Sequence, residues 1–310
     1  MRTEADRLMA RSVTFSDMPR AFASGPARGA RRGLHFREAV MVARDVGQLV
    51  RYEEKHVFEK VVPVNKDLHA NTRVKEITSF AFASKFHVAY ITLQEFTRAA
   101  SIFPIVFLED KQKDEFRPVV LLGLKPGVNV FVDGDGKWQA SYIPAVIRRY
   151  PFTLTSGGED GQYIVCIDEQ SSLVSETEGA ALFDVSGTPT QVIDNVKRYL
   201  SELQQMEAST NAFCAFLAKH NMFTPLNLRV RETSGVKDIA GCYVINEERL
   251  NNLSDELFLE IKSKRYLPAI YAHLMSLAQT ERLVKLQEAG AAKKSAQPDA
   301  PALASEVPAA

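Results

Sequence analysis

The strongest constraint on the fold of this 310-residue chain is a long amphipathic stretch that begins near residue 190. Its apolar residues recur with the spacing of one helix face, namely Val192, Ile193, Val196, Tyr199, Leu200, Leu203 and Met206. Thr188, Pro189 and Gln191 supply an N-cap, a proline at the first helical position and a capping-box partner. The stretch predicts a helix of roughly 30 residues whose apolar stripe must be covered by other elements.

Short β-type runs separated by turn signals precede this helix. The runs are PIVFLED (104–110), RPVVLLGL (117–124), NVFVD (129–133), PFTLT (151–155) and QYIVCID (162–168). Such runs, divided by glycine-rich and charged turns, are typical of antiparallel hairpins. A capping box from Thr92 to Glu95 predicts one helix ahead of them.

The second half of the chain adds a strand pair and more helices. PLNLRVRE and IAGCYVIN favour paired strands, while Ser254 and Leu267 mark the beginnings of two further helices. Strands followed by helices indicate an α+β fold. We predict a mainly antiparallel sheet with the long helix and further C-terminal helices packed against it.

Composition divides the chain into three parts. Ten of the 21 arginines fall in residues 1–51, whereas all 17 lysines lie at position 55 or later. Residues 1–51 are predicted to be a disordered Arg-rich extension, and residues 289–310 a disordered tail, because neither has enough apolar surface to offset the entropy of ordering. Residues 52–288 are predicted to form a single α+β domain, β-rich over 52–185 and helix-rich over 186–288.

The overall charge and the cysteines exclude several classes of protein. With 38 basic and 38 acidic side chains the net charge is zero, which gives no field that would favour nucleic acid as a partner. No apolar run approaches the roughly 20 residues of a membrane helix, and no apolar signal core is present, so we expect cytoplasmic residence or non-classical export to the cell surface. The three cysteines lie in apolar stretches and are expected to be buried free thiols.

The segment YIPAVIRRYPFTL (142–154) carries two adjacent arginines between prolines. A helix starting near Pro144 would place on one face the residues Ile143, Val146, Ile147 and Tyr150. Arg148 and Arg149 would then lie on opposite flanks. Either they are solvated or salt-bridged on the back of a packing helix, or they form a guanidinium clamp for a carboxylate or phosphate, which requires the two groups to converge.

An acidic segment, CIDEQSSLVSETEG, follows the last predicted strand of the β-rich part. Its carboxylates, among them Asp168 and Glu169, belong either to a solvated loop or to a docking surface for Arg148 or Arg149. The six histidines show no metal-binding spacing, and DGDGKW lacks two ligands of a calcium loop, so we expect neither a metal nor a cofactor. The candidate ligand-binding residues are Arg148, Arg149, Tyr150, Asp168, Glu169 and His273.

Several distinctive strings follow one another along the chain, in the order FPIVF, LLGL, NVFVD, GKW, YIPAVIRRYPF, GQYIVCIDE, the EG and LF of SETEGAALFD, and YAHLMSL. Together they resemble the bacterial SapC family. The resemblance covers about residues 52–287. It implies no established catalytic residues, so none can be assigned to this chain.

The resemblance does imply a cellular setting. The family is named for a protein linked to a paracrystalline surface layer, and its members occur beside genes for outer-membrane receptors and flavin-dependent halogenases. It therefore suggests a non-enzymatic accessory protein of the envelope or surface layer, linked to nutrient uptake and with protein partners. The alternative is an enzyme or binder of a small anionic ligand that uses Arg148 or Arg149 with Asp168. The oligomeric state is not encoded in any local pattern.

Overall fold

The computed structural model describes residues 58–111, 113–156, 163–232 and 235–296. The predicted extension 1–51 and residues 297–310 lie outside these ranges. The strands are β1 (Val61–Pro63), β2 (Arg73–Val74), β3 (Val88–Tyr90), β4 (Ile105–Asp110), β5 (Glu115–Leu121), β6 (Phe152–Ser156), β7 (Tyr163–Asp168), β8 (Val174–Ser175), β9 (Ala180–Ala181), β10 (Phe223–Glu232) and β11 (Gly235–Ile245). The helices are α1 (Lys66–His69), α2 (Phe96–Ala99), α3 (Ala145–Arg148), α4 (Gln191–Lys219), α5 (Glu247–Asn251), α6 (Asp255–Ser263), α7 (Leu267–Ser276) and α8 (Gln279–Ala296).

These strands form three antiparallel sheets. A five-stranded sheet has the order β10-β11-β4-β5-β3, and a three-stranded sheet has the order β1-β7-β6. A small third sheet, β8-β2-β9, joins three two-residue strands. Helix α7 packs on β11 and β4, and α4 packs on β5. The predicted α+β fold with a long helix and C-terminal helices is confirmed.

Helix α4 contributes to two separate hydrophobic cores. Ile193 and Leu200, in its N-terminal half, pack in a core with Phe152 and Ile167 of the three-stranded sheet. Its C-terminal half contributes the buried Phe213, Cys214, Phe216 and Leu217 to a larger core around the five-stranded sheet. The 29 residues of α4 thus cover both sheets, which explains why the sequence carries so long an apolar stripe.

Local details differ from the sequence-based expectations at several points. Helix α4 is capped by Thr190, whose side chain accepts from the Val192 amide, so the predicted N-cap at Thr188 is wrong. The NVFVD run forms only an isolated bridge, between Val132 and Trp138, around a turn. Helix α8 continues to Ala296, beyond the boundary at residue 288 that composition indicated.

Among the described residues, no helix combines the length and the apolar character that crossing a bilayer requires.

Candidate functional site

The arginine-bearing segment forms a single helical turn, α3, with Pro144 as its N-cap residue. Ile147 is fully buried in the larger core, and Val146 is half-buried against it, as the apolar spacing predicted. Tyr199 of α4 donates a 2.9 Å hydrogen bond to the carbonyl of Ala145. The turn is therefore anchored on α4, and its position is set by packing.

A buried carboxylate, Glu95, holds the other side of α3. The predicted capping box is present: Oε2 of Glu95 accepts from the amide and the hydroxyl of Thr92, both at 2.8 Å. Its other oxygen, Oε1, accepts from the Tyr142 hydroxyl at 2.6 Å and from the Ala145 amide at 2.8 Å. Burial and the bond to Glu95 raise the pKa of Tyr142, so the phenol stays protonated and donates.

Arg148 lies over aromatic rings on the exposed side of this cluster. Its guanidinium carbon is 5.9 Å from the ring centroid of Tyr142 and 5.8 Å from that of Tyr199, within cation–π range. Its Nε donates to the Ile143 carbonyl at 3.1 Å. Arg98, also exposed, lies 5.2 Å from the Tyr142 centroid. Two cationic groups therefore flank one tyrosine ring.

Arg149 points to a different ring. Its guanidinium carbon lies 5.7 Å from the centroid of Phe58, and the Phe58 ring in turn meets Tyr150 edge-on at 5.5 Å. Neighbouring residues on a helical turn diverge, and these two arginines accordingly lie over separate rings. The convergence that a common clamp on one ligand group requires is therefore not seen between these two side chains.

Asp168 is fully buried at the end of β7, where it fixes the chain next to β1. Its carboxylate accepts backbone N–H bonds from Glu59 (3.1 Å), Lys60 (2.9 Å) and Gln170 (3.2 Å). The Tyr150 hydroxyl donates to the same carboxylate at 3.4 Å, and burial raises the pKa of that phenol. The predicted neighbours Tyr150 and Asp168 thus do meet, but Asp168 already accepts four hydrogen bonds from within the protein.

Glu169, the next residue, is also paired. Lys60 lies 2.6 Å from Oε2, and Nε2 of the buried His69 lies 3.3 Å from Oε1. The hydrogen bond from Lys60 is the main cause of a lowered pKa at Glu169. Glu169 therefore ties Lys60, just before β1, and His69 of α1 to the end of β7.

His273 belongs to another part of the fold. It lies on α7 without solvent exposure, its Nε2 accepts from the Ile245 amide at 3.0 Å, and its ring is 5.0 Å from that of Phe107. Burial lowers the pKa of His273 to about 3, so the imidazole is neutral. These contacts are to β11 and β4, whereas those of Asp168 are to Glu59 and Lys60 just before β1, to Gln170, and to Tyr150 just after α3.

The thiols are equally enclosed. Cys166, Cys214 and Cys242 are free and buried, and burial raises the pKa of each, that of Cys242 to about 11. Within the described ranges, no group of three or more His, Cys, Asp or Glu side chains is placed to hold a metal ion.

Comparison with known proteins assigns the family. A family model described as SapC matches residues 64–283. The chain belongs to the SapC family. Searches of curated proteins and of solved structures found no match. All six predicted ligand-binding residues lie within the SapC match, as do Glu95 and Tyr142, whereas Lys60 lies outside it.

Proposed function

We propose that this SapC family member is a non-enzymatic accessory protein of the bacterial envelope or surface layer, with a link to nutrient uptake. The observation that carries the proposal is that Asp168 and His273, two candidate ligand-binding residues of a type that can transfer protons, are engaged within the fold. Asp168 accepts four hydrogen bonds, and Nε2 of His273 accepts from a backbone amide. A general base must instead present a lone pair to its substrate. Binding, not bond chemistry, fits this arrangement.

Exposed apolar side chains support protein partners. Tyr271 and Met275, four residues apart on α7, are 49% and 74% exposed, and on α6 Phe258 and Leu259 are 41% and 59% exposed. Residues four apart share a helix face, so α7 presents an apolar pair to solvent. Adjacent exposed apolar side chains, unlike isolated ones, contribute to the contiguous apolar patches that mark protein interaction sites.

Envelope fractionation combined with affinity capture in the native bacterium tests the proposal. We expect the tagged protein to sediment with envelope fractions and to retain envelope proteins after cross-linking. Met275→Glu should reduce that retention, whereas Ala215→Glu, at an exposed site on α4, should not. A protein that stays wholly in the supernatant and retains no envelope protein would contradict the proposal. The same fractionation decides between cytoplasmic residence and non-classical export.

A second candidate is a binder of a small anion at Arg148. The observation that favours it is the pair of exposed guanidinium groups, Arg98 and Arg148, on the Tyr142 ring. Titration calorimetry with inorganic phosphate and with citrate is the test. Arg148→Gln should weaken binding by about tenfold, and Arg198→Gln on α4 is the matched control. Equal binding by both variants and the wild-type protein would eliminate this candidate.

A further inference from the structure

A groove of about 570 Å³ lies between the three-stranded sheet and the N-terminal half of α4. One face of this sheet forms the floor of the groove, and the side chains along that face become progressively more exposed to solvent. Phe152 pairs with Ile167 and both are buried, Leu154 pairs with Val165 and both are half-buried, and Tyr163, next along that face, is 55% exposed. Helix α4 therefore covers only one end of this sheet face.

The other walls come from α4 and from the turn before it. Ile193, Lys197 and Ser201 follow one another at four-residue spacing along the side of α4 that lines the groove. Phe183, Gly187 and Pro189 complete the lining. The carboxylate of Asp184 accepts from the amides of Ser186 (2.8 Å) and Thr188 (2.9 Å), which holds that turn in place. The groove is thus built from ordered elements.

The charge of the groove is unbalanced. Lys66 and Lys197 both line it, and both side chains are exposed. Within the part of the chain that the structure describes, neither lysine has an ion pair. The remaining lining is mainly apolar: five residues are aliphatic (Val64, Leu154, Ile164, Val165 and Ile193), and Tyr163, Phe183 and Pro189 add further apolar surface. An apolar floor with two uncompensated cations favours an anion that carries an apolar body.

The hydrogen bonding of the sheet argues against an extended peptide as the occupant. The floor strand β7 is paired with β1 on one side and with β6 on the other. A peptide that binds as an added strand needs a free sheet edge, whereas this groove offers the face of the sheet. The floor of the groove therefore offers side chains and no free strand edge.

We propose that the groove binds a small amphiphilic anion, with an aliphatic chain against Val64, Leu154 and Val165 and a carboxylate or phosphate neutralised by Lys66 and Lys197. The volume lies within the range of about 300–1,000 Å³ in which proteins hold small organic ligands. Burial of the chain supplies the binding free energy, and the lysines select the charge. The groove shares no lining residue with the exposed apolar side chains of α6 and α7 or with Arg98, Tyr142 and Arg148, so this site is independent of both functions proposed above.

Titration calorimetry of the full chain with matched probes tests the proposal. The probes are dodecanoate, dodecyl phosphate, dodecanol and inorganic phosphate, each below its aggregation concentration. We expect both dodecyl anions to bind. Dodecanol should bind at least about tenfold more weakly than either anion, and inorganic phosphate should not bind. The two anions also distinguish a carboxylate from a phosphate head group.

Three variants locate the binding site. Combined Lys66→Gln and Lys197→Gln substitutions should weaken binding of the anions by about tenfold or more. Lys219 lies on the same helix as Lys197, about 33 Å further along at ~1.5 Å per residue, so Lys219→Gln should leave the affinity for the anions unchanged. Ser201→Trp should fill the groove and abolish binding without disturbing the fold, because Ser201 is exposed. Absence of anion binding, dodecanol binding as tight as dodecanoate, or full binding by the double-lysine or Ser201→Trp variant would overturn the proposal.

Discussion

Tyr142 donates a 2.6 Å hydrogen bond to Oε1 of Glu95, a residue 47 positions earlier in the chain. The same carboxylate also accepts a hydrogen bond from the Ala145 amide, so the capping box at Thr92 and the helical turn α3 share it. Glu95 is 6% exposed and Tyr142 is 8% exposed, so water cannot replace either partner. The position of Arg148 above the Tyr142 ring depends on this pair.

Substitution of Tyr142 by Phe should therefore destabilise the protein. The change keeps the ring but leaves Glu95 with one donor fewer, and we expect the free energy of unfolding to fall by about 1–3 kcal/mol. Urea denaturation followed by circular dichroism measures the change. Tyr163→Phe is the control, since Tyr163 is 55% exposed. Equal midpoints for the two variants would show that the bond to Glu95 contributes nothing.

Asp168→Asn should be costly although it preserves the side-chain shape. An amide keeps one acceptor oxygen but turns an N–H₂ group toward a backbone amide, for example that of Glu59, which also donates. We expect a loss of about 1–3 kcal/mol in the free energy of unfolding, and less protection of the β1 amides from hydrogen exchange. Asp135→Asn, in an exposed turn, should have little effect. Unchanged β1 protection in Asp168→Asn would contradict the anchoring role.

His273 should make the protein less stable as the pH falls. Its pKa is about 3 in the folded chain and about 6.5 when unfolded. Between these two pKa values the unfolded chain binds one more proton at His273 than the folded chain does. The contribution of the neutral His273 to the free energy of unfolding is therefore fully present above pH 6.5 and is lost as the pH falls toward 3. The loss is up to about 1.4 kcal/mol per pH unit.

Two measurements check the His273 prediction. NMR of the wild-type protein should show a neutral imidazole at pH 5, with the unprotonated Nε2 that the bond from Ile245 requires. His273→Gln should remove the corresponding slope from a plot of stability against pH, whereas His220→Gln should keep it. A His273 ring that protonates near pH 6 in the folded protein would contradict the prediction.

The three cysteines should be inert in the folded protein. Because burial raises the pKa of each thiol and excludes reagents, reaction with a thiol-specific disulfide reagent at pH 8 should be at least about 100-fold slower than in denaturant. After unfolding, all three should react rapidly. Fast labelling of any of the three in the native protein would show that its surroundings open.

Much of the fold could be predicted from local patterns. Helix α4 and strands β4 to β7 lie close to the predicted runs, since amphipathic spacing and turn residues act over a few positions. The capping box identified Glu95 but not the use of its second oxygen. Nothing near Glu95 in sequence indicates that Tyr142 and Ala145 donate to it. A capping motif specifies only its own helix end.

The parts of the site that the sequence did not reveal depend on distant backbone groups. The sequence predicts a solvated loop or a docking surface at Asp168, yet the amides of Glu59 and Lys60 that donate to it are 109 and 108 residues away. His273 is a candidate ligand-binding residue by sequence, but its partner is the Ile245 amide on another element. The groove is lined by α1, β6, β7 and α4, whose meeting only the tertiary structure defines.

Helix α4 also has a consequence for how the protein unfolds. Ile193 and Leu200 pack the N-terminal half of the helix into the smaller core, and Phe213 and Leu217 pack the C-terminal half into the larger core. If either core unfolds, the half of α4 that packs in it loses its tertiary contacts. Isolated half-helices of this length are marginal in water. The two sheets should therefore melt in a single cooperative transition, and a substitution in the smaller core should lower the melting temperature of the larger one.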